Sequence, residues 1–192
     1  MDSSTKAQAA WLPRVVKFGN HSCTLSGLAL ALDPLTWLPN QALFRARLES
    51  VLAVRRPRVA LLHIDLDRFQ DVNDLLGHDT GDQVLRQAAA RIARAFPKGA
   101  LLGHLGGDDF AALIEAAELV QAMRVARALL DACREPFVVD CLALTITASV
   151  GIALHPGRAP DASGLIAHAC YALYRAKIGG RDRCYPGRTL QH

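Results

Sequence analysis

Apolar positions recur along this chain with two different spacings, and the alternation between them outlines a fold. After Pro39, Asn40 stands where it can cap a helix whose apolar face is Phe44, Leu48, Val51 and Leu52, at offsets of 0, 4, 7 and 8, ending before Pro57. Val59 to Ile64 reads as a continuous apolar run, as in a buried strand, and it delivers Asp65 and Asp67 at its exit. From about Asp79 to Phe96 the helical period returns, with Val84, Leu85, Ala88, Ile92 and Ala95 inside, Arg86, Arg91 and Arg94 outside, and Pro97 as the stop. Two short apolar runs, Leu101 to Leu105 and Phe110 to Ile114, flank Gly106-Gly107-Asp108-Asp109, a hairpin signal because glycine accepts the positive φ of tight turns. Leu119, Met123, Ala126 and Leu130 mark another helix, and two strands are expected near Phe137–Leu142 and Leu144–Ala153. A last helix, with Asp161 as its candidate cap, runs through Leu165, Ala169, Ala172, Leu173 and Ala176 before Gly179-Gly180. Helices alternating with strands and hairpins predict an α/β sandwich around one mostly antiparallel sheet.

Composition sets the scale. With 192 residues, 51% hydrophobic and 21% charged, and a mean hydropathy of +0.15, the chain has material for one domain and a short appendage. Residues 1–32 lack sustained periodicity and read as an N-terminal tail or signalling linker; 33–185 form the expected domain and 186–192 a C-terminal tail. The longest apolar stretch, Gly27 to Leu32, is far shorter than the ~20 residues of a membrane helix, and Met1-Asp2-Ser3-Ser4 lacks the basic-then-apolar pattern of an export signal. A cytoplasmic protein without membrane insertion is the expectation. Five scattered cysteines with no C-x-x-C pair suggest reduced thiols, and the seven histidines, without ligand spacing, read as structural or surface residues.

The net charge of +4 hides a pattern. Residues 1–58 hold 8 basic and 3 acidic side chains, 59–150 hold 8 and 13, and 151–192 hold 6 and 2. Nothing concentrates Lys and Arg beside exposed aromatics, so nucleic acid is not an expected partner. An acidic centre with basic flanks suits a metal held by carboxylates next to phosphates met by Lys and Arg. Asp65 and Asp67 leave one strand while Asp108 and Asp109 sit in a turn; if strand and hairpin are sheet neighbours, both sets converge at one edge. Clustered carboxylates repel unless a cation lies among them, and hard oxygen ligands select Mg²⁺ or Mn²⁺. For D-x-D or D-D alone, a solvated turn is the plainer reading. A calcium loop starting at Asp65 fails, with Gln70 where glycine belongs and Leu76 at the twelfth place.

The order of the pieces adds specificity. From Asp33-Pro34-Leu35-Thr36-Trp37-Leu38-Pro39-Asn40, through Asp65-Leu66-Asp67-Arg68-Phe69, Val72-Asn73-Asp74-Leu75-Leu76-Gly77-His78 and Gly81-Asp82, to Leu105-Gly106-Gly107-Asp108-Asp109-Phe110, the chain resembles the GGDEF family of diguanylate cyclases, with a variant GGDDF signature. Thr147-Ala148-Ser149-Val150-Gly151 and Ala172-Leu173-Tyr174-Arg175-Ala176-Lys177, closing with Gly180-Arg181, extend the resemblance over about residues 33–185. It implies a palm-like nucleotidyl cyclase fold, a central, mostly antiparallel five-stranded sheet flanked by helices. It also implies condensation of two GTP into cyclic di-GMP by a homodimer, downstream of a sensor or signalling partner. By the same resemblance Asp65, the Leu66 main-chain carbonyl and Asp108 hold the divalent metal, and Asp108 and Asp109 are catalytic. Asn73 and Asp82 read the guanine edge, while Phe69, Gln70, Gly106, Gly107, Lys177 and Arg181 contribute to substrate binding, the last two at the phosphates and one helical turn apart.

Several positions depart from the family. Gln70 replaces a phosphate-contacting lysine, His104 an arginine before the signature, Trp37 a glycine, Cys170 the acid of the A-D-x-A-L-Y motif, and Asp109 the usual glutamate. Where the family carries its R-x-x-D product-inhibition motif, this chain reads Pro97-Lys98-Gly99-Ala100, so no inhibitory site is expected. The departures imply slow turnover. The alternative is a catalytically degenerate domain that binds GTP or a protein and regulates. A different metal-dependent nucleotide transferase using D-x-D alone is weaker, because the GTP-reading residues argue against it.

Overall fold

The computed structural model describes residues 31–54, 57–156 and 161–187. Most of the two expected tails, residues 1–30 and 188–192, therefore lies outside the described residues. Among the described residues, the Ala31 carbonyl accepts from Asn40 N and Leu32 bridges Pro39.

The apolar run becomes β1 (Val59–Leu66), the middle strand of a five-stranded sheet. The strands run in the order β2 (Leu101–Gly106), β3 (Asp109–Glu115), β1, β6 (Ala148–His155), β7 (Cys184–Pro186), antiparallel except for the β6–β7 pair. Strand side chains alternate faces, so β1 serves two cores. Val59 and Leu61 pack with Phe44, Leu48 and Val51 of α1 (Gln41–Leu52) and with Leu165 and Ala169 of α5 (Ala162–Ile178). Ala60, Leu62, Ile64 and Leu66 pack on the opposite face with Val84, Ala88 and Ile92 of α3 (His78–Ala95) and Ala126 and Leu129 of α4 (Leu119–Arg134). Asn40 and Asp161 cap α1 and α5 as the sequence predicts, accepting from Leu43 N and Gly164 N. Helix α5 lies so close to β6 that a Cβ on Gly151 would come within 2.1 Å of the Ala169 carbonyl.

Three local expectations change. Residues Phe69–Leu76 form a short helix, α2, bounded by Arg68 at φ 57° and Gly77 at φ 85°; eight residues show too few turns for the period to declare itself. The strand expected over Phe137–Leu142 is a separate hairpin, β4 (Phe137–Val139) and β5 (Leu142–Leu144), turning at Asp140 and Cys141, both at positive φ without being glycine. The next strand accordingly starts at Ala148 rather than Leu144. Arg91 ties this hairpin down: its guanidinium donates to the Ala132 and Pro136 carbonyls and lies 3.9 Å above the Phe137 ring. Strand β7 was too short to predict. Trp37, where the family has glycine, sits at φ 60° and is 55% exposed, a left-handed backbone that costs a non-glycine residue about 1 kcal/mol.

Candidate active site

The antiparallel register of β1 and β3 places Asp65 directly opposite Asp109, and Leu66 N donates to the Asp108 carbonyl at 3.3 Å. The strand and hairpin are thus neighbours, and three carboxylates gather at the sheet edge. Gly106 (φ 122°) and Gly107 (φ 59°) make the turn, and a Cβ on either would meet nothing, so backbone conformation is what demands glycine there. From the last turn of α5, Lys177 Nζ reaches Asp65 Oδ2 at 2.5 Å.

Electrostatics divide the three acids. Burial, joined by the charges of Asp108 and Asp109, pushes the Asp65 carboxyl up to about 6 against the pull of Lys177. Burial, with Asp109 nearby, also raises Asp108. Asp109 moves the other way: burial raises it, but the close contact and charge of His63 outweigh burial and hold it below the ordinary carboxylate range. The donors are hard oxygens whose mutual repulsion Lys177 only partly offsets, and that chemistry fits a divalent cation. Among the described residues, no group of three or more His, Cys, Asp or Glu side chains is already arranged as a metal cage.

Asp65 and Asp67 part company. Asp67 is buried and accepts from Thr147 Oγ1 (2.7 Å), Ser149 Oγ (2.7 Å) and Asp182 N (3.0 Å), so it anchors the loop after α5. That loop carries Arg181. The expectation that Lys177 and Arg181 stand one helical turn apart is corrected here: α5 ends at Ile178, and Arg181 sits beyond it at φ 60°, its N–H bonded to the Ala176 carbonyl. The glycines at 179 and 180 release the chain from the helix before that residue.

Asn73 on α2 and Asp82 on α3 are both half-buried, and Asn73 packs against Gly81, the residue before Asp82. A methyl group at Gly81 would fall 2.0 Å from Asn73 Oδ1, so the amide lies across that glycine, next to Asp82. Asp82 keeps its carboxylate 48% exposed, with Arg86 3.9 Å away. Gln70 is exposed in the first turn of α2. Phe69, expected at the substrate, is instead a core residue, 5% exposed.

Two histidines were missed as participants. His104 is buried and bridges the signature turn to the N-terminal segment, with Nδ1 2.9 Å from the Asp33 carboxylate and Nε2 2.8 Å from the Gly107 carbonyl, its ring stacked on Phe110. Burial raises the Asp33 carboxyl, yet the bonds from His104 and Thr36 bring it below its ordinary value. His63 interrupts the apolar run of β1. Its side chain is 13% exposed, with Nε2 3.3 Å from Asp109 Oδ1 and Nδ1 3.2 Å from Cys170 Sγ. The Asp109 contact has ion-pair distance without hydrogen-bond geometry, which leaves Nε2 a buried nitrogen lacking a formed bond. Burial lowers the imidazole, but Asp109 and Cys170 overcome it and push His63 up to about 9. The sequence signal was one polar residue inside an apolar strand.

Residues 30–183 match the family model described as the diguanylate cyclase GGDEF domain. The chain is 38% identical over 185 residues, 95% of its length, to the bifunctional diguanylate cyclase/cyclic di-GMP phosphodiesterase MucR of Pseudomonas aeruginosa, and covers 27% of that protein. It is also 38% identical over 154 residues, 78% of its length, to the diguanylate cyclase TpbB of Pseudomonas aeruginosa, covering 35% of it. The solved structure of an N-terminally truncated TpbB from the same species, comprising only its GGDEF domain, superimposes with a TM-score of 0.78 at 36% identity, covering 82% of this chain and 95% of that one. The chain thus spans about a quarter to a third of the curated relatives' length.

Proposed function

The chain belongs to the GGDEF, diguanylate cyclase family, and from that premise we propose that it condenses two GTP molecules into cyclic di-GMP, slowly, as a homodimer in which each copy presents one nucleotide. The observation that carries the proposal is the meeting of Asp65 and Asp109 across adjacent strands, with Asp108 at the turn and Lys177 bonded to Asp65. Asp65, the Leu66 carbonyl and Asp108 would hold Mg²⁺ or Mn²⁺, which supplies activation of the 3′-hydroxyl and spreads the charge developing at the α-phosphorus. Lys177 and Arg181 meet the phosphates, and the glycine turn lets the backbone approach them. Asn73 and Asp82 bond the guanine edge. Asp109 assists as the second carboxylate, one methylene shorter than the family's glutamate; in-line transfer tolerates little misplacement, so rate is lost there. Neutral Gln70 forgoes a charge-assisted phosphate bond. An upstream sensor or signalling partner sets the activity, and Pro97-Lys98-Gly99-Ala100 provides no inhibitory site. Tight cyclic di-GMP binding that Lys98→Ala abolishes would contradict that last point.

Incubation of concentrated protein with GTP and Mg²⁺ or Mn²⁺, followed by nucleotide chromatography, tests the reading. Cyclic di-GMP is expected, and none from Asp65→Asn. A second reading, a GTP-binding regulatory module, is favoured by the engagement of Asp109 with His63 and by Gln70. Absence of product with GTP binding retained selects it; a gain of activity in Gln70→Lys/Asp109→Glu, the double variant that restores the family's residues, shows that the departures limited turnover, and its silence that the geometry is lost elsewhere.

A further inference from the structure

Cys170, His63 and Asp109 form a continuous line from the surface of α5 to the acidic edge of the sheet, with links of 3.2 and 3.3 Å. Two of the three depart from the family pattern, Cys170 standing where the family has an acid and Asp109 where it has glutamate, while His63 breaks an apolar strand. Cys170 is partly exposed, whereas the ring behind it is nearly enclosed, with its other nitrogen 3.3 Å from a carboxylate and without a formed hydrogen bond. Beside the ring lies a small apolar cavity of about 90 Å³, bordered by Phe44, Leu61, Leu105, His63 and Ala169. A thiol within hydrogen-bond distance of an imidazole, with a carboxylate close to the far side of the ring, is an arrangement that makes a cysteine nucleophilic.

We propose that Cys170 is a modification site, a thiol that reacts with hydroperoxides and other soft electrophiles ahead of the chain's other cysteines, and whose oxidation is relayed through His63 to Asp109. As the sulfur attacks a hydroperoxide, an S–O bond forms and the O–O bond breaks. Sulfur gives up two electrons, and the thiol proton leaves on the departing oxygen as water or alcohol. The sulfenic acid that results is larger and itself a hydrogen-bond donor, so it displaces the Nδ1 contact and turns the ring that holds Asp109. The remaining described cysteines differ in kind. Cys133 is buried, with its thiol pushed up to about 11; burial likewise raises the partly exposed Cys184; Cys141 is exposed in the β4–β5 turn. The reactivity claim is independent of the proposed function, and the relay to Asp109 rests on it.

The reactivity is read with iodoacetamide on the full chain at pH 7, following each cysteine by mass spectrometry. With His63 Nδ1 3.2 Å from its sulfur, Cys170 should be alkylated about ten-fold faster than Cys141 despite being less exposed. His63→Phe should bring Cys170 below Cys141 and leave Cys141 unchanged. Cys170 no faster than Cys141 in the unaltered chain overturns the proposal without any variant, and so does an advantage that survives His63→Phe. The relay is read separately. Hydrogen peroxide should lower cyclic di-GMP formation several-fold in the unaltered chain, with dimedone trapping on Cys170, and leave Cys170→Ser active. Equal loss in Cys170→Ser overturns the relay. If the chain makes no cyclic di-GMP at all, the proposed function fails, and the alkylation rates still decide the site.

Discussion

The imidazole of His63 makes the stability of the domain fall as pH rises across a defined window. Folding carries this group from an ordinary value of 6.5 to about 9, so between those two values the folded chain binds a proton that the unfolded chain has released. The stabilisation is fully present below pH 6.5 and is lost as pH climbs through about 9. At ~1.4 kcal/mol per pH unit the window is worth about 3 kcal/mol, a large fraction of the ~5–15 kcal/mol that holds a typical domain together. With its side chain only 13% exposed, the group sits where solvent screening takes little from that figure. Urea unfolding at half-unit steps from pH 6 to 9 measures the slope. His63→Leu, which fills the same space without titrating, should flatten it by about 3 kcal/mol over the whole range. Cys133, pushed up to about 11 by burial, adds a loss of the same sign only above pH 9, outside the window. A wild-type profile that is flat, or that runs parallel to the variant's, refutes the assignment of a buried charged imidazole to β1.

Three other outcomes follow from the geometry. Because the Asp65 carboxyl rises from 3.8 to about 6 in the folded chain, its stability contribution is present below pH 3.8 and gone above 6. Asp65→Asn should therefore raise metal-free stability at pH 7 by about 1–2 kcal/mol in urea titrations while abolishing cyclic di-GMP formation. Gly81→Ala displaces the end of the Asn73 side chain and presses on Phe69 Cζ at 3.1 Å, so it should lower the melting temperature by a few degrees while weakening GTP binding at least about ten-fold by calorimetry, the loss of one or two bonds to a nucleobase. Trp37→Gly removes a left-handed strain from a largely exposed residue and should stabilise the domain by about 0.5–1 kcal/mol, read as a higher urea midpoint.

The parts of the fold that the sequence discloses are those with enough length to repeat a period. Helices α1, α3 and α5 bury most of the residues their spacing nominates, α4 buries Ala126 and Leu130 but leaves Leu119 and Met123 partly exposed, and the capping side chains of Asn40 and Asp161 act where expected. What escaped is short or carried by unusual backbone: α2 between two left-handed residues, the β4–β5 turn built without glycine, and the three-residue β7. At the site, the convergence of Asp65, Asp108 and Asp109 was legible because strand exit and glycine turn can be placed before their pairing is known. The separation of Asp65 from Asp67 was not, since adjacent odd positions in a D-x-D look alike until Thr147, Ser149 and Asp182 claim one of them. Departures read one at a time also hid a partnership: Cys170 and Asp109 seem unrelated along the chain, and only the fold shows His63 between them.

Strand β1 behaves as a reading frame. Its odd positions serve one core and the carboxylate edge, its even positions the other core, so deleting a single residue inside it would exchange the two sets from that point on. An aspartate would then face the oily layer of Val84 and Ile92, and an isoleucine or leucine would occupy the acidic edge. Substitutions in this segment can be graded, but changes of length cannot. Mutational drift can respell β1 one letter at a time, whereas its letter count is fixed by the chemistry at its end.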